Sequence, residues 1–153
     1  MIFDVLTLFP EMIENHCQYS ILKRAVEKRI LSVNTFNPRD FTLDKHKKVD
    51  DTPYGGGAGM VLMAQPYVDA YESIEKTDNS ITIMLSPQGE PLNDAIVNEL
   101  AEYEQIIMLC GHYEGFDERI REIIKPKEIS IGDFVLTGGE LPALCLIDAV
   151  SRK

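Results

Sequence analysis

Cysteine, positive charge and long apolar runs are all scarce in this chain, and each shortage closes off a class of protein. The three cysteines, Cys17, Cys110 and Cys145, are odd in number, far apart and without a CxxC pair. That argues against a disulfide framework and against a zinc site, and it fits a reducing compartment. Lysine and arginine total 15 against 25 aspartates and glutamates, a formal net charge of -10. Bulk attraction to phosphate or anionic lipid is therefore missing, and a nucleic-acid partner would need a local basic patch or something outside this chain. No apolar run approaches the roughly 18 residues that a membrane span requires. The opening MIFDVLTLFP carries Asp4 and Pro10 and has no basic n-region, so it reads as a buried first strand rather than a signal peptide. The expectation is a cytoplasmic protein that meets no membrane.

What is present is an ordinary globular composition: 153 residues, 44% hydrophobic and 26% charged, which is one domain with a sizeable core. Ile2 to Leu8 reads as a strand, Ile21 to Ile30 has helical spacing, and Leu31 to Phe36 alternates as a half-buried strand. From Asp44 to Ala58 a charge run passes into three consecutive glycines, which predicts a long exposed loop. Beyond Gln65 the pattern is regular: helix to about Lys76, strand 81–85, helix 92–103, strand 106–110, helix near 117–124, a short apolar segment 129–131, and a last helix from about Glu140 to Arg152. Strands alternating with helices imply right-handed crossovers and a mostly parallel α/β sheet. The last helix runs to Ser151-Arg152-Lys153 with neither a glycine cap nor a proline stop, as if the chain were cut there.

Three successive strand exits carry glycine turns: Ser86-Pro87-Gln88-Gly89, then Cys110-Gly111-His112-Tyr113-Glu114-Gly115, then Ile131-Gly132-Asp133 leading to Leu136-Thr137-Gly138-Gly139-Glu140. In an open parallel sheet the ligand crevice lies beyond the carboxyl ends of the strands. Any one of these segments is more often an ordinary turn, but together they predict a pocket. No phosphate-binding signature fits: Pro53 to Met60 lacks the Lys-Ser/Thr of a P-loop and the spacing of a dinucleotide fingerprint. That glycine cluster reads equally well as a lid or as a linker.

Six blocks carry a resemblance. Leu8-Phe9-Pro10-Glu11-Met12, the run from Val49 to Met60, Ser86 to Gly89, Cys110 to Gly115, Asp117-Glu118-Arg119, and Gly138-Gly139-Glu140-Leu141-Pro142-Ala143 resemble, in order and over nearly the whole chain, the bacterial tRNA (guanine-N1)-methyltransferases that act on guanosine 37. The resemblance implies an α/β domain of the SPOUT superfamily with a deep C-terminal trefoil knot. It also implies S-adenosyl-L-methionine as cofactor, tRNA with guanosine at position 37 as substrate, and a homodimer with its cofactor pockets at the interface.

Carried over residue by residue, the implied cofactor contacts are Leu85, Ser86 and Pro87, then Gly111, Tyr113, Glu114 and Gly115. The third loop adds Ser130, Ile131, Gly132, Phe134, Leu136, Gly138, Gly139 and Pro142. Phe134 stands where many members carry tyrosine. Arg152 matches the catalytic arginine, which would stabilise charge on the guanine oxygen, although a cation at a helix C-terminus is an equal reading. Asp50 matches a loop aspartate near the target base. Glu114 would face the sulfonium, the ammonium or the target base, or be a solvated loop charge. No metal ligand set is implied.

The family's proton-accepting aspartate lies downstream of that arginine, past Lys153. The resemblance therefore describes residues 1–153 as the cofactor-binding domain without its C-terminal tRNA-binding domain, inactive alone. The rival reading is a non-catalytic dimeric nucleoside-binding module of the same fold. Asp117 and Asp133 are candidate caps of a turn or a helix start, with the cap alone the better reading for Asp117; His16 reads as structural, His46 as part of an RNA-facing loop, and His112 as a neighbour of the pocket. Lys23, Arg24, Lys28 and Arg29, with Lys45, Lys47 and Lys48, form either a residual phosphate patch or a solvated face.

Overall fold

A computed structural model describes residues 1–112 and 114–153. Its centre is a five-stranded, all-parallel sheet in the order β2-β1-β6-β5-β7, made of β1 (Ile2–Leu6), β2 (Ser32–Phe36), β5 (Ser80–Pro91), β6 (Gln105–Leu109) and β7 (Lys127–Ser130). A two-stranded antiparallel ribbon, β3 (Asp50–Asp51) with β4 (Val61–Leu62), stands apart from it. The helices are α1 (Pro10–His16), α2 (Ser20–Glu27), α3 (Ala64–Glu72), α4 (Asp94–Ala101), α5 (Glu118–Ile124) and α6 (Glu140–Ser151).

Both faces of the sheet are covered, as a parallel sheet requires. The period-2 alternation of β6 sends Ile106 and Met108 to one face and Ile107 and Leu109 to the other, all fully buried. The first pair joins Phe3, Val5, Ile83 and Leu85 against Ile13 of α1, Leu22 of α2, Ile96, Val97 and Leu100 of α4, and Ala143, Leu146, Ile147 and Val150 of α6. The second joins Leu6 and Met84 against Tyr67 and Ala70 of α3 and Ile120 and Ile124 of α5. Asp4 is buried in β1 but satisfied, accepting from Asn34 Nδ2 at 2.8 Å and Gln105 Nε2 at 2.6 Å.

Three elements differ from the sequence reading. Pro10 starts a short helix, α1, because its fixed φ and missing N–H suit the first helical position. The exposed 44–58 stretch is not wholly irregular: Asp50 and Asp51 pair with Leu62 and Val61. Strand β5 does not end at the Ser-Pro-Gln-Gly turn. Leu85 and Glu90 both pair with Ile129, so residues 86–89 bulge out of the ladder while the strand resumes beyond them. Gly89 permits this, since a Cβ there would lie 2.5 Å from Ile129 N and 2.6 Å from Glu128 C.

Helix α6 is the element that both core and strand exits lean on. Replacing its fully buried Ile147 by alanine leaves a void between helix and sheet and is expected to cost about 2–5 kcal/mol, measured as a lower urea midpoint at unchanged slope. A loss under about 0.5 kcal/mol would mean that α6 is not packed as described.

Candidate functional site

The bulge of β5, the exit of β6 and the segment joining β7 to α6 surround a cavity of about 500 Å³ at the carboxyl end of the sheet. Its apolar wall is Leu85, Pro87, Ile129, Ile131, Phe134, Leu136 and Pro142, and its backbone rim is Gly111, Gly115, Gly132, Gly138 and Gly139. Each loop is held by its own hydrogen bonds. Gln88 N–H donates to Ser86 Oγ at 3.2 Å. Ser130 Oγ donates to Gly132 O at 2.8 Å and accepts from Gly132 N at 3.2 Å, closing the start of the third loop. The second and third loops meet where Gly139 N–H donates to Gly111 O at 2.9 Å and His112 pairs with Gly138. A Cβ on Gly139 would stand 2.8 Å from Cys110 Cα and 3.0 Å from Gly111 N.

The glycine-rich segment approaches from the other side. Glu114 N–H donates to Met60 O at 3.0 Å and Leu62 N–H to Gly115 O at 2.9 Å. Gly59, at φ +86, leaves room for Glu114, whose Cγ would be 2.6 Å from a Cβ there. A Cβ on Gly55, Gly56 or Gly57 would meet nothing within 4 Å. One end of the cluster is thus docked on the second loop, and residues 54–58 are exposed.

Of the fifteen implied cofactor contacts, fourteen line this one cavity, and Tyr113 lies outside the described residues. Sequence reasoning did not assign Gln88, Phe116, Glu118, Arg121, Ile129, Val135 and Thr137, which line it as well. Gln88, Val135 and Thr137 sit inside the same glycine turns, so their position was the available signal. Arg121 had none. Its guanidinium is spent within the wall, donating to Glu128 Oε1 at 3.1 and 3.0 Å and to Glu118 Oε2 at 3.2 Å. Glu114 forms no ion pair among the described residues, so the wall offers an available carboxylate. Cys110 is fully buried, and desolvation, with the charge of Glu140 second, pushes its thiol well above the usual range. It is an inert core residue, not a nucleophile.

The structure does not bring Asp50 and Arg152 to this cavity. Asp50 sits on β3 opposite Leu62, whose neighbour across the next bridge is the cavity residue Phe116. Arg152 caps α6, twelve residues after the helix begins, and lines a separate open groove of about 560 Å³ with Asn93, Asp94 and Val97. Lys153 there reaches Asp94 at 2.6 Å. Asp133 is exposed in its loop and His16 is exposed on α1. Among the described residues no group of His, Cys, Asp and Glu could hold a metal ion. No helix of the described residues is long and apolar enough to cross a membrane.

This arrangement defines a doubly covered parallel α/β domain with a ligand-sized cavity at its strand exits. A family profile described as "tRNA (Guanine-1)-methyltransferase TrmD" matches residues 1–153, and the chain belongs to that family. It is 56% identical over 152 residues to a tRNA (guanine-N(1)-)-methyltransferase of Carboxydothermus hydrogenoformans, covering 99% of this chain and 60% of that one. To the one from Caldanaerobacter subterraneus subsp. tengcongensis it is 59% identical, with 99% and 63% covered. The crystal structure of tRNA (m1G37) methyltransferase from Aquifex aeolicus superposes with a TM-score of 0.89 at 44% identity, covering 99% of this chain and 69% of that one. The fold is therefore of the SPOUT type. The chain spans about three fifths of the length of the curated relatives it matches.

Asp117 is confirmed as a helix cap, its carboxylate accepting from Arg119 N–H at 2.9 Å at the start of α5. The hydrogen bond from the Arg119 side chain, with the backbone bond, holds this carboxyl below its ordinary value. A depressed native pKa means stabilisation that is complete at neutral pH and is lost as pH falls through that lowered value. Asp117→Ala is expected to cost about 1 kcal/mol at pH 7, with the difference from wild type shrinking below about pH 4. Denaturant midpoints measured from pH 7 to pH 3 check this; a pH-independent difference would contradict it.

Proposed function

We propose that the cavity binds S-adenosyl-L-methionine and that the protein transfers its methyl group to N1 of guanosine 37 in tRNA. The observation that carries this reading is the meeting of three glycine turns around one cavity in a chain of this family. The residues suit the group. A volume of about 500 Å³ lies within the usual range of small-molecule sites, about 300–1,000 Å³. Leu85, Ile129, Ile131 and Pro142 offer an apolar slot, the glycine rim offers backbone donors and acceptors, and Glu114 offers a negative charge to a cationic ligand. When bound, the cofactor supplies an electrophilic methyl group.

The chain's own residues hold the donor and shield it from water, and guanine needs in addition a base for its N1 proton and a cation for charge on its oxygen. Arg152 serves as that cation. The twelve residues of α6 separate it from the rim of its own cavity by about 18 Å of helix, and in this reading the guanine it serves sits at the cavity of a second copy of the chain. Phe134, Val135, Leu136 and Leu141, exposed on the third loop and α6, supply apolar surface for such a homodimer. The SPOUT threading of the third loop and α6 through the chain, and a cytoplasmic site of action beside tRNA, belong to the same proposal.

Calorimetric titration tests it. The chain is expected to bind S-adenosylmethionine or S-adenosylhomocysteine with about micromolar affinity, and Gly139→Val, which pushes a side chain into Cys110 and Gly111, is expected to abolish binding. A protein of the relatives' full length is expected to transfer labelled methyl to N1 of guanosine 37 and not to a tRNA lacking that guanosine. Binding without any transfer by the full-length protein would favour the non-catalytic nucleoside-binding module.

A further inference from the structure

Glu140 opens α6 and is only 2% exposed, although carboxylates are almost never fully buried unless paired. Both of its oxygens are engaged. Oε1 accepts from the Thr7 hydroxyl at 2.7 Å, and Oε2 lies 2.7 Å from His112 Nε2. Thr7 Oγ1 accepts in turn from Phe9 N–H at 2.9 Å. The Phe9 ring lies against the imidazole, with centroids 4.9 Å apart. Gly138 leaves the imidazole its space, since a Cβ there would strike His112 and stand 2.6 Å from Glu140 Oε2. The exit of β1, the exit of β6 and the start of α6 therefore converge on one buried carboxylate.

His112 is the member of this group that lines the cavity, and it begins the loop that carries Glu114 and Gly115. The far end of that loop is tied down by Met60 and Leu62 through backbone hydrogen bonds. Its near end is tied by Gly111 to Gly139, and by His112 to Gly138 and Glu140. At 2.7 Å the contact between ring and buried carboxyl group is short, so it sets the plane of the ring as well as its place.

We propose that Glu140 is a positioning residue of the donor cavity: through His112 it holds loop 111–115 at the spacing from loop 130–139 that the donor requires. The proposal rests on the reading of the cavity as a methyl-donor site. Glu140 itself touches no ligand, and its effect on binding is transmitted by the imidazole.

The test combines calorimetry with S-adenosylhomocysteine and ring-15N NMR of the histidines, on wild type and on Glu140→Gln, His112→Leu, His112→Arg and the Glu140→Gln/His112→Leu pair. Each variant is first checked for a native amide spectrum. Wild type is expected to show the His112 ring protonated on Nε2, and Glu140→Gln to lose that single signature. Glu140→Gln and His112→Leu are each expected to weaken binding about tenfold, the equivalent of one charge-assisted hydrogen bond. The pair together is expected to lose no more than the worse single variant. His112→Arg, which can still donate to the carboxylate, is expected to stay within about twofold of wild type. Wild-type affinity in Glu140→Gln, or losses that multiply in the pair, would overturn the proposal. A wild-type chain with the imidazole signature but no donor binding would instead overturn the reading of the cavity.

Discussion

The place where Gly139 crosses the end of β6 sets the geometry on the side of the cavity where the second and third loops meet. Its N–H reaches Gly111 O at 2.9 Å, and there is no room for a Cβ between it and Cys110. One such hydrogen bond contributes only about 0.5–1.5 kcal/mol net. The contact persists because α6, starting at the next residue, buries Ala143, Leu146, Ile147 and Val150 against the sheet. At about 25 cal/mol per Å² of apolar surface, that burial outweighs the single hydrogen bond several times over. The core therefore holds this crossing of the second and third loops in place.

The opposite wall has a different origin. Because Leu85 and Glu90 share Ile129 as partner, residues 86–89 are pushed outward without ending β5, and the ladder on both sides keeps the bulge from collapsing. A hairpin-like turn at the same place would let the chain leave the sheet, and the wall would then be a mobile loop. The strand's continuation and its close passage over β7 at Gly89 tie this wall to the sheet edge. Charge follows the same logic: Arg121 is neutralised inside the wall by Glu118 and Glu128, while Glu114 pairs with no cation among the described residues. The mouth is thus biased toward a cation in a chain that is already acidic.

Alternation of helical and strand periodicity was enough to read the parallel α/β architecture, the buried first strand and the last helix. Each of these is set by hydrophobic patterning over many residues. The bulge in β5 was not legible, since Ser86-Pro87-Gln88-Gly89 has the composition of a turn, and only pairing with Ile129, some 40 residues away, shows the strand continuing. The antiparallel pairing of Asp50 and Asp51 was hidden for a similar reason: two residues have no periodicity. At the site, glycine turns at three strand exits revealed the cavity, and the family resemblance supplied residue identities within it. Glu140 was visible only as part of a motif. Its burial and its bonds to Thr7 and His112 join positions 133 and 28 residues apart, and no local pattern reports them. Arg152 and Asp50 show the converse limit, for a role implied by a match does not place a side chain at the cavity of its own chain.

Amide shift mapping during titration with S-adenosylhomocysteine decides whether the three strand exits together form one methyl-donor site. Saturable shifts are expected in all three segments, 85–89, 111–115 and 130–139, along one common binding curve, with residues 92–97 and 149–153 at the second groove unchanged. Shifts confined to that groove, or absent from any one of the three segments, would mean that the three strand exits do not form one site.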